Sequence, residues 1–256
     1  MRSTERDTGP SMISRVSEIL RAYQHDERSM TVSELGRRAG IPKASVSRII
    51  AEMVEVGFLE REGNDIRLGI RLFELGQQAS RPTDLRKFAL PHMTELMKAT
   101  GQTVHLAVLE GTEVVYVQIL RSRSTPPLPS RLGGRLPAYA TGVGKALLAH
   151  SSPELIDEVC SGELTPLGPK TITDPVQLRR ELNAIRVNHL AYEREESTVN
   201  VGCAAAPILN SMGKPIAALS VSVHLHMTDV TKMGPAVSTV AMALSREASR
   251  NKLMRG

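Results

Sequence analysis

Apolar residues between Val32 and Met53 recur at helical spacing in two short blocks. In the first, Val32, Leu35 and Ala39 share a face, and Thr31 with Glu34 forms a T-x-x-E capping box at its start. Gly40 breaks the pattern, and Pro42 suits the first turn of the next helix, where a missing N–H costs nothing. In the second block Val46, Ile49, Ile50 and Met53 make one stripe. Ala44, Ser47, Arg48 and Ala51 fall opposite, flanked by Lys43 and Ser45. Ile13, Val16, Ile19, Leu20 and Tyr23 mark an amphipathic helix ahead of the pair. Behind it, residues 57–61 and 66–68 with Gly63-Asn64-Asp65 between them read as strand, tight turn, strand. Three helices and a hairpin wing predict a winged helix-turn-helix over residues 11–69, preceded by a disordered tail over residues 1–10.

Helical spacing returns from Ile70 to Gly76, which predicts a linker helix over residues 70–82, ending where Ser80-Arg81-Pro82-Thr83 breaks the pattern. Residues 83–256 then form a second domain. Leu85, Ala89, Met93, Leu96 and Met97, with Phe88 at the edge, line a helix that stops at Gly101 and that Pro91 is expected to kink or divide. Residues 103–109 and 113–119 alternate as a hairpin, as do residues 203–209 and 215–223. Further helices are expected over residues 142–150, from Ser152-Pro153, from Asp174-Pro175 to about Asn188, and from a Thr228 cap to about Arg250. Strands that come in hairpins predict an α+β domain on an antiparallel sheet.

Charge sharpens the first domain. From Leu35 to Ala51 stand Arg37, Arg38, Lys43 and Arg48 and no acid. The net charge of +5 adds little, since residues 1–82 hold 13 Lys/Arg against 12 Asp/Glu. Small residues beside Lys43, Ser45, Ser47 and Arg48 let a helix sit deep in a major groove and bond bases and phosphates. Arg61 and Arg67 on the wing are placed to reach flanking phosphates. An ordinary helical hairpin with a solvated basic face is the alternative. With 3% aromatics and no Trp, stacking of single-stranded bases is unlikely to be its mode of binding.

Other chemistry is sparse. Cys160 and Cys203 stand far apart with no CxxC, so neither a disulfide framework nor a zinc site is expected. Gly144-Lys145 fails the phosphate-loop pattern, because Tyr139 and Ala146 occupy positions needing Gly and Ser or Thr. G-x-S-x-G and H-E-x-x-H are absent. His105, His224 and His226 are a weak candidate metal set, outweighed by structural roles. No cofactor, no metal, no membrane span and no enzymatic activity are expected, and a cytoplasmic location is. Residues 121–150 carry five Lys/Arg and no acid, either drawing acidic ligands or forming a solvated surface or subunit contact.

Ordered blocks along residues 11–250 resemble the isocitrate lyase regulator (IclR) family of bacterial transcription factors. They include Gly40-Ile41-Pro42-Lys43 with Ser47-Arg48, residues 66–76, Thr100-Gly101-Gln102-Thr103, residues 135–146, Thr171-Ile172-Thr173-Asp174-Pro175, Glu195-Glu196, Cys203-Ala204-Ala205-Ala206-Pro207 and residues 217–222. The resemblance implies a winged helix-turn-helix, a linker helix and a GAF-like effector domain. It implies a ligand-responsive regulator, more often a repressor, of a catabolic operon. Its partners would be double-stranded operator DNA, a small organic acid or aromatic catabolite, and further copies of itself in a homodimer or homotetramer.

The DNA-binding set is Thr31, Lys43, Ala44, Ser45, Ser47, Arg48, Arg61 and Arg67. The effector set carried over from the family is Gly142, Val143, Glu193, Cys203, Ser220 and Ser222. The family often has Asp where Glu193 stands, Gly where Asn200 stands and His where Tyr139 stands. Bland readings accompany the effector set: tight packing for Gly142, backbone bonds for the serines, plain burial for Cys203 and a solvated Glu193. An enzyme using Cys203 as nucleophile and a non-specific architectural DNA binder are the rival functions.

Overall fold

Two compact units, Met1–Thr83 and Asp84–Gly256, make up the chain. A computed structural model describes residues 10–24, 29–123 and 128–250. Nine residues of the expected N-terminal tail lie outside them.

In the first unit the helices are α1 (Met12–Arg21), α2 (Val32–Arg38) and α3 (Lys43–Glu55). The wing strands are β2 (Leu59–Glu62) and β3 (Asp65–Leu68). A short strand β1 (Met30–Thr31) pairs with β3 and makes the sheet three-stranded, in the order β1-β3-β2. Ile19, Leu35, Val46, Ile49, Ile50, Met53, Leu59 and Ile66 form the core. Gly40, at φ +64°, makes the turn between α2 and α3, a conformation that a β-carbon disfavours. Ile13 departs from its expected place: its side chain is exposed. Helix α4 (Ile70–Gln78) ends at Ala79, and α5 (Ser80–Thr100) starts directly after it. The break therefore falls at Ala79, with Pro82 inside the first turn of α5.

In the second unit Leu85, Ala89, Met93 and Leu96 anchor α5 on both sides of Pro91, and the helix runs through that proline undivided. The six-stranded sheet has the order β6-β5-β4-β9-β8-β7, every neighbour antiparallel. Its strands are β4 (Thr103–Glu110), β5 (Glu113–Leu120), β6 (Arg135–Pro137), β7 (Ala191–Arg194), β8 (Val201–Leu209) and β9 (Pro215–His224). The short β6 and β7, at the two edges, were not anticipated. Helices α5 and α9 (Gly234–Arg250) cover one face, where Val104, Leu106, Ala204, Leu219 and Val221 pack. Helices α6 (Gly142–Leu148), α7 (Pro153–Ser161) and α8 (Pro175–Asn188) cover the other. Ser152 and Asp174 cap α7 and α8 as expected. Thr228 does not cap α9; Asp229 caps a 3-10 turn, Val230–Met233, that leads into it.

Strand alternation places the polar residues of β8 and β9 opposite the α5/α9 layer. Leu219, Val221 and Val223 enter one core, so Ser220 and Ser222 face α6.

Candidate DNA interface and effector site

Helix α3 buries Val46, Ile49, Ile50 and Met53 and exposes Lys43, Ala44, Ser47, Arg48 and Ala51, with Ser45 half-buried. The face expected to meet DNA is therefore open. Of the four cations in the acid-free run, two are already engaged. Arg37 and Arg38 both bind the Glu34 carboxylate, at 2.7 and 2.6 Å, and hold it well down, to about 2. This corrects the capping box. The Thr31 hydroxyl accepts the Glu34 N–H at 3.2 Å, but the Glu34 side chain turns to the arginines. Lys43 and Arg48 form no salt bridge among the described residues. The Ser47 hydroxyl donates to the Lys43 carbonyl at 3.0 Å, leaving its oxygen as an acceptor.

On the wing, Arg61 pairs across from Ile66 and Arg67 across from Glu60, so the two arginines lie on opposite faces. Arg61 is exposed. Arg67 is held by Glu60 at 3.0 Å and Glu62 at 3.4 Å, and Glu60 also accepts the Ile70 N–H that opens α4. Arg67 is thus paired across the hairpin, through exposed carboxylates that a phosphate would have to displace.

The six residues of the expected effector set converge in the second unit. Strand register puts Glu193 beside Cys203 and Cys203 beside Ser222; Ser220 lies beside His105. Over this row sits the start of α6. A β-carbon built on Gly142 would lie 3.3 Å from the Cys203 Cβ, 3.4 Å from the Ala205 Cβ and 3.5 Å from the Glu193 Cβ, so the helix start lies against the strands with little room for a side chain. Thr141 caps α6, its hydroxyl accepting the Gly144 N–H at 3.0 Å. Together with Tyr116, Ser130, Thr141 and Ser197, the six residues and His105 line a narrow cavity.

Inside it, the Cys203 thiol and Ser222 hydroxyl are 3.0 Å apart. His105 Nε2 meets the Ser130 hydroxyl at 2.9 Å, and its Nδ1 lies 3.4 Å from Ser222. Burial, with the nearby Arg121 charge, pushes His105 down to about 3, so the ring is neutral. Burial raises the Cys203 thiol, which Glu193 reinforces; the thiol is protonated and a poor nucleophile. Glu193 is fully buried, not solvated. Its Oε1 accepts the Glu196 and Ser197 N–H groups at 2.6 and 3.0 Å. Burial pushes this carboxyl up, while those N–H groups and the Lys145 charge pull it back.

Lys145, once a failed phosphate-loop lysine, is itself buried, with Nζ 2.6 Å from Glu196, 3.1 Å from the Tyr192 carbonyl and 3.4 Å from Glu181. Burial outweighs Lys145 at Glu196 and raises its carboxyl to about 7. Of the five cations in the acid-free run over residues 121–150, Arg135 pairs with Glu113 and Lys145 with Glu196. No three His, Cys, Asp or Glu among the described residues lie close enough to hold a metal, and His105 bonds serine hydroxyls. Sequence reasoning missed His105, Tyr116, Ser130 and Thr141 as cavity residues. The period-2 pattern of β4 and the Thr before Gly142 carried a signal for His105 and Thr141; Tyr116 and Ser130 depended on pairing and loop closure.

A winged helix-turn-helix with an open recognition face, accompanied by an α+β unit enclosing a polar cavity, defines a DNA-binding regulator with a ligand-sensing module. The family model for the bacterial transcriptional regulator IclR C-terminal domain matches residues 77–246, and that for the IclR helix-turn-helix domain matches residues 12–63. The chain belongs to the IclR family of transcriptional regulators, a family of regulators rather than enzymes. The HTH-type transcriptional regulator KdgR of Escherichia coli strain K12 is 31% identical over 227 residues, 87% of this chain and 86% of its own. The transcriptional repressor IclR of the same strain is 28% identical over 221 residues, 83% of this chain and 81% of its own. The crystal structure of an IclR homolog from Microbacterium hydrocarbonoxydans, complexed with 4-hydroxybenzoate, superposes with a TM-score of 0.86 at 36% identity, covering 94% of this chain and 99% of that one. No helix among the described residues is long and apolar enough to cross a membrane.

Proposed function

We propose that this chain is a cytoplasmic repressor of a catabolic operon, acting as a homodimer or homotetramer and relieved by a small organic acid or aromatic catabolite. Lys43, Ala44, Ser45, Ser47 and Arg48 read the major groove. Thr31 and Arg61 reach the flanking backbone, and Arg67 acts by stiffening the wing. Two subunits address half-sites separated by about one helical turn or a multiple of it. Gly142, Val143, Glu193, Cys203, Ser220 and Ser222 hold the effector, whose binding favours one of two placements of the DNA-binding units.

The observation that carries this reading is the row of polar residues buried beneath Gly142, on strands of which β8 and β9 turn apolar residues to the opposite face. Buried polar groups beyond those the fold satisfies internally, such as Oε2 of Glu193, are costly in a core and support a ligand-binding role. The repressor sign is supported by the E. coli relative named a repressor, and the effector class by the structural relative complexed with 4-hydroxybenzoate.

The test is a gel-shift titration on DNA from the chain's own promoter, with and without 4-hydroxybenzoate. Specific binding that the compound releases is expected. Arg48→Ala is expected to lower affinity for that DNA by roughly 1–3 kcal/mol while leaving the melting temperature unchanged. Equal affinity for random DNA, or an unaffected Arg48→Ala variant, rejects the assignment of α3.

A further inference from the structure

Among the described residues, the buried side-chain oxygens and nitrogens without a hydrogen-bond partner are Oε2 of Glu193 and Oε2 of Glu196. Only Glu193 lines the effector cavity. Its other oxygen accepts two backbone N–H groups, bonds that favour the charged carboxylate and oppose the burial that on balance raises this group. The Cys203 thiol borders this carboxyl and meets the Ser222 hydroxyl at 3.0 Å, where either group can donate, but it makes no hydrogen bond to Oε2. Among the described residues no lysine or arginine lines the cavity: Lys145 pairs with Glu196, and Arg121 donates to the Ser130 carbonyl at 2.7 Å from outside the lining. A buried acceptor without a donor is costly, and a second carboxylate placed against it with no cation would be costlier still.

We propose that the effector donates a hydrogen bond to Oε2 of Glu193 from a hydroxyl group, so that the chain responds to hydroxylated acids and not to the same acids without the hydroxyl. The inference rests on reading this cavity as the effector site. Any carboxylate on the ligand points away from Glu193. The acceptor at Oε2 then sets specificity, because a ligand lacking the donor leaves it buried and unpaired.

Glu193→Gln provides a sharp test. The backbone N–H groups of Glu196 and Ser197 require an oxygen where Oε1 stands, so the glutamine amide nitrogen must take the place of Oε2. The substitution turns an acceptor into a donor without changing shape. The full chain is titrated by calorimetry with 4-hydroxybenzoate, 4-methoxybenzoate and benzoate, and with lactate and propionate. At least one hydroxylated probe is expected to bind about tenfold or more tighter than its partners lacking the donor. In Glu193→Gln that preference is expected to collapse to within about threefold, with the fold intact by circular dichroism.

Benzoate or propionate binding as tightly as the hydroxylated partner overturns this inference while leaving the effector cavity standing. A preference for 4-methoxybenzoate that Glu193→Gln retains also overturns it, because Oε2 would then carry its own proton and act as donor. An undiminished hydroxyl preference in Glu193→Gln does the same. No binding of any probe at millimolar concentration rejects the cavity reading and this inference together.

Discussion

His105 illustrates what a single residue reveals only after folding. In the sequence it is one histidine on an alternating strand; in the fold it is buried, neutral and bonded to Ser130. Its folded value of about 3 lies below the usual 6.5. Between those values the unfolded chain binds a proton that the folded chain refuses, so this residue lowers stability as pH falls through that window. Urea unfolding at several pH values is expected to show a shallower acid loss for His105→Gln, by up to about 1.4 kcal/mol per pH unit. Equal slopes would mean that the ring titrates freely. The DNA-facing residues were more legible, because amphipathicity alone put Ala44, Ser47 and Arg48 opposite the stripe that Val46, Ile49, Ile50 and Met53 bury. The charge partners were not. Glu34 lies one position outside the acid-free run yet holds Arg37 and Arg38, and Arg67 meets Glu60 only through hairpin register.

Among elements, the Lys145 cluster ties α6 to α8 through Glu181 and to β7 through the Tyr192 carbonyl. Lys145→Met removes the charge that draws the Glu196 carboxyl down, so that carboxyl keeps its proton to higher pH. In denaturant melts the variant is expected to lose stability relative to the parent chain, and the loss to grow as pH rises above 7. The pH-dependent part of the loss is expected to vanish when Glu196→Gln is added. A loss that persists in the double variant would locate the damage in packing instead. Sequence periodicity found the long helices and both hairpins because each carries enough turns or alternations to show a period. It missed β6 and β7, since three or four residues show none. It placed the α9 cap on Thr228, whereas Asp229 performs that role for the preceding 3-10 turn.

For the whole molecule, the two units have separate cores, one built on Leu35 and Ile49, the other on both faces of the six-stranded sheet. A fragment spanning residues 84–250 is expected to melt cooperatively on its own and to bind 4-hydroxybenzoate with the affinity of the full chain, while losing operator binding. Weaker ligand binding by the fragment would show that the first unit contributes to the cavity. The order of the sheet strands was not legible, because it is set by which edges β6 and β7 cover rather than by any local pattern. The convergence of the six effector residues came from resemblance, and their physical reason is the lateral register from Glu193 to Ser222.

The missing side chain at residue 142 leaves the roof of the chamber resting almost directly on its floor. A bulky residue there, wedged against β7 and β8, would yield a regulator deaf to its metabolite yet still competent to grip DNA. Under the proposed repressor reading, that allele would keep its genes shut whatever the diet.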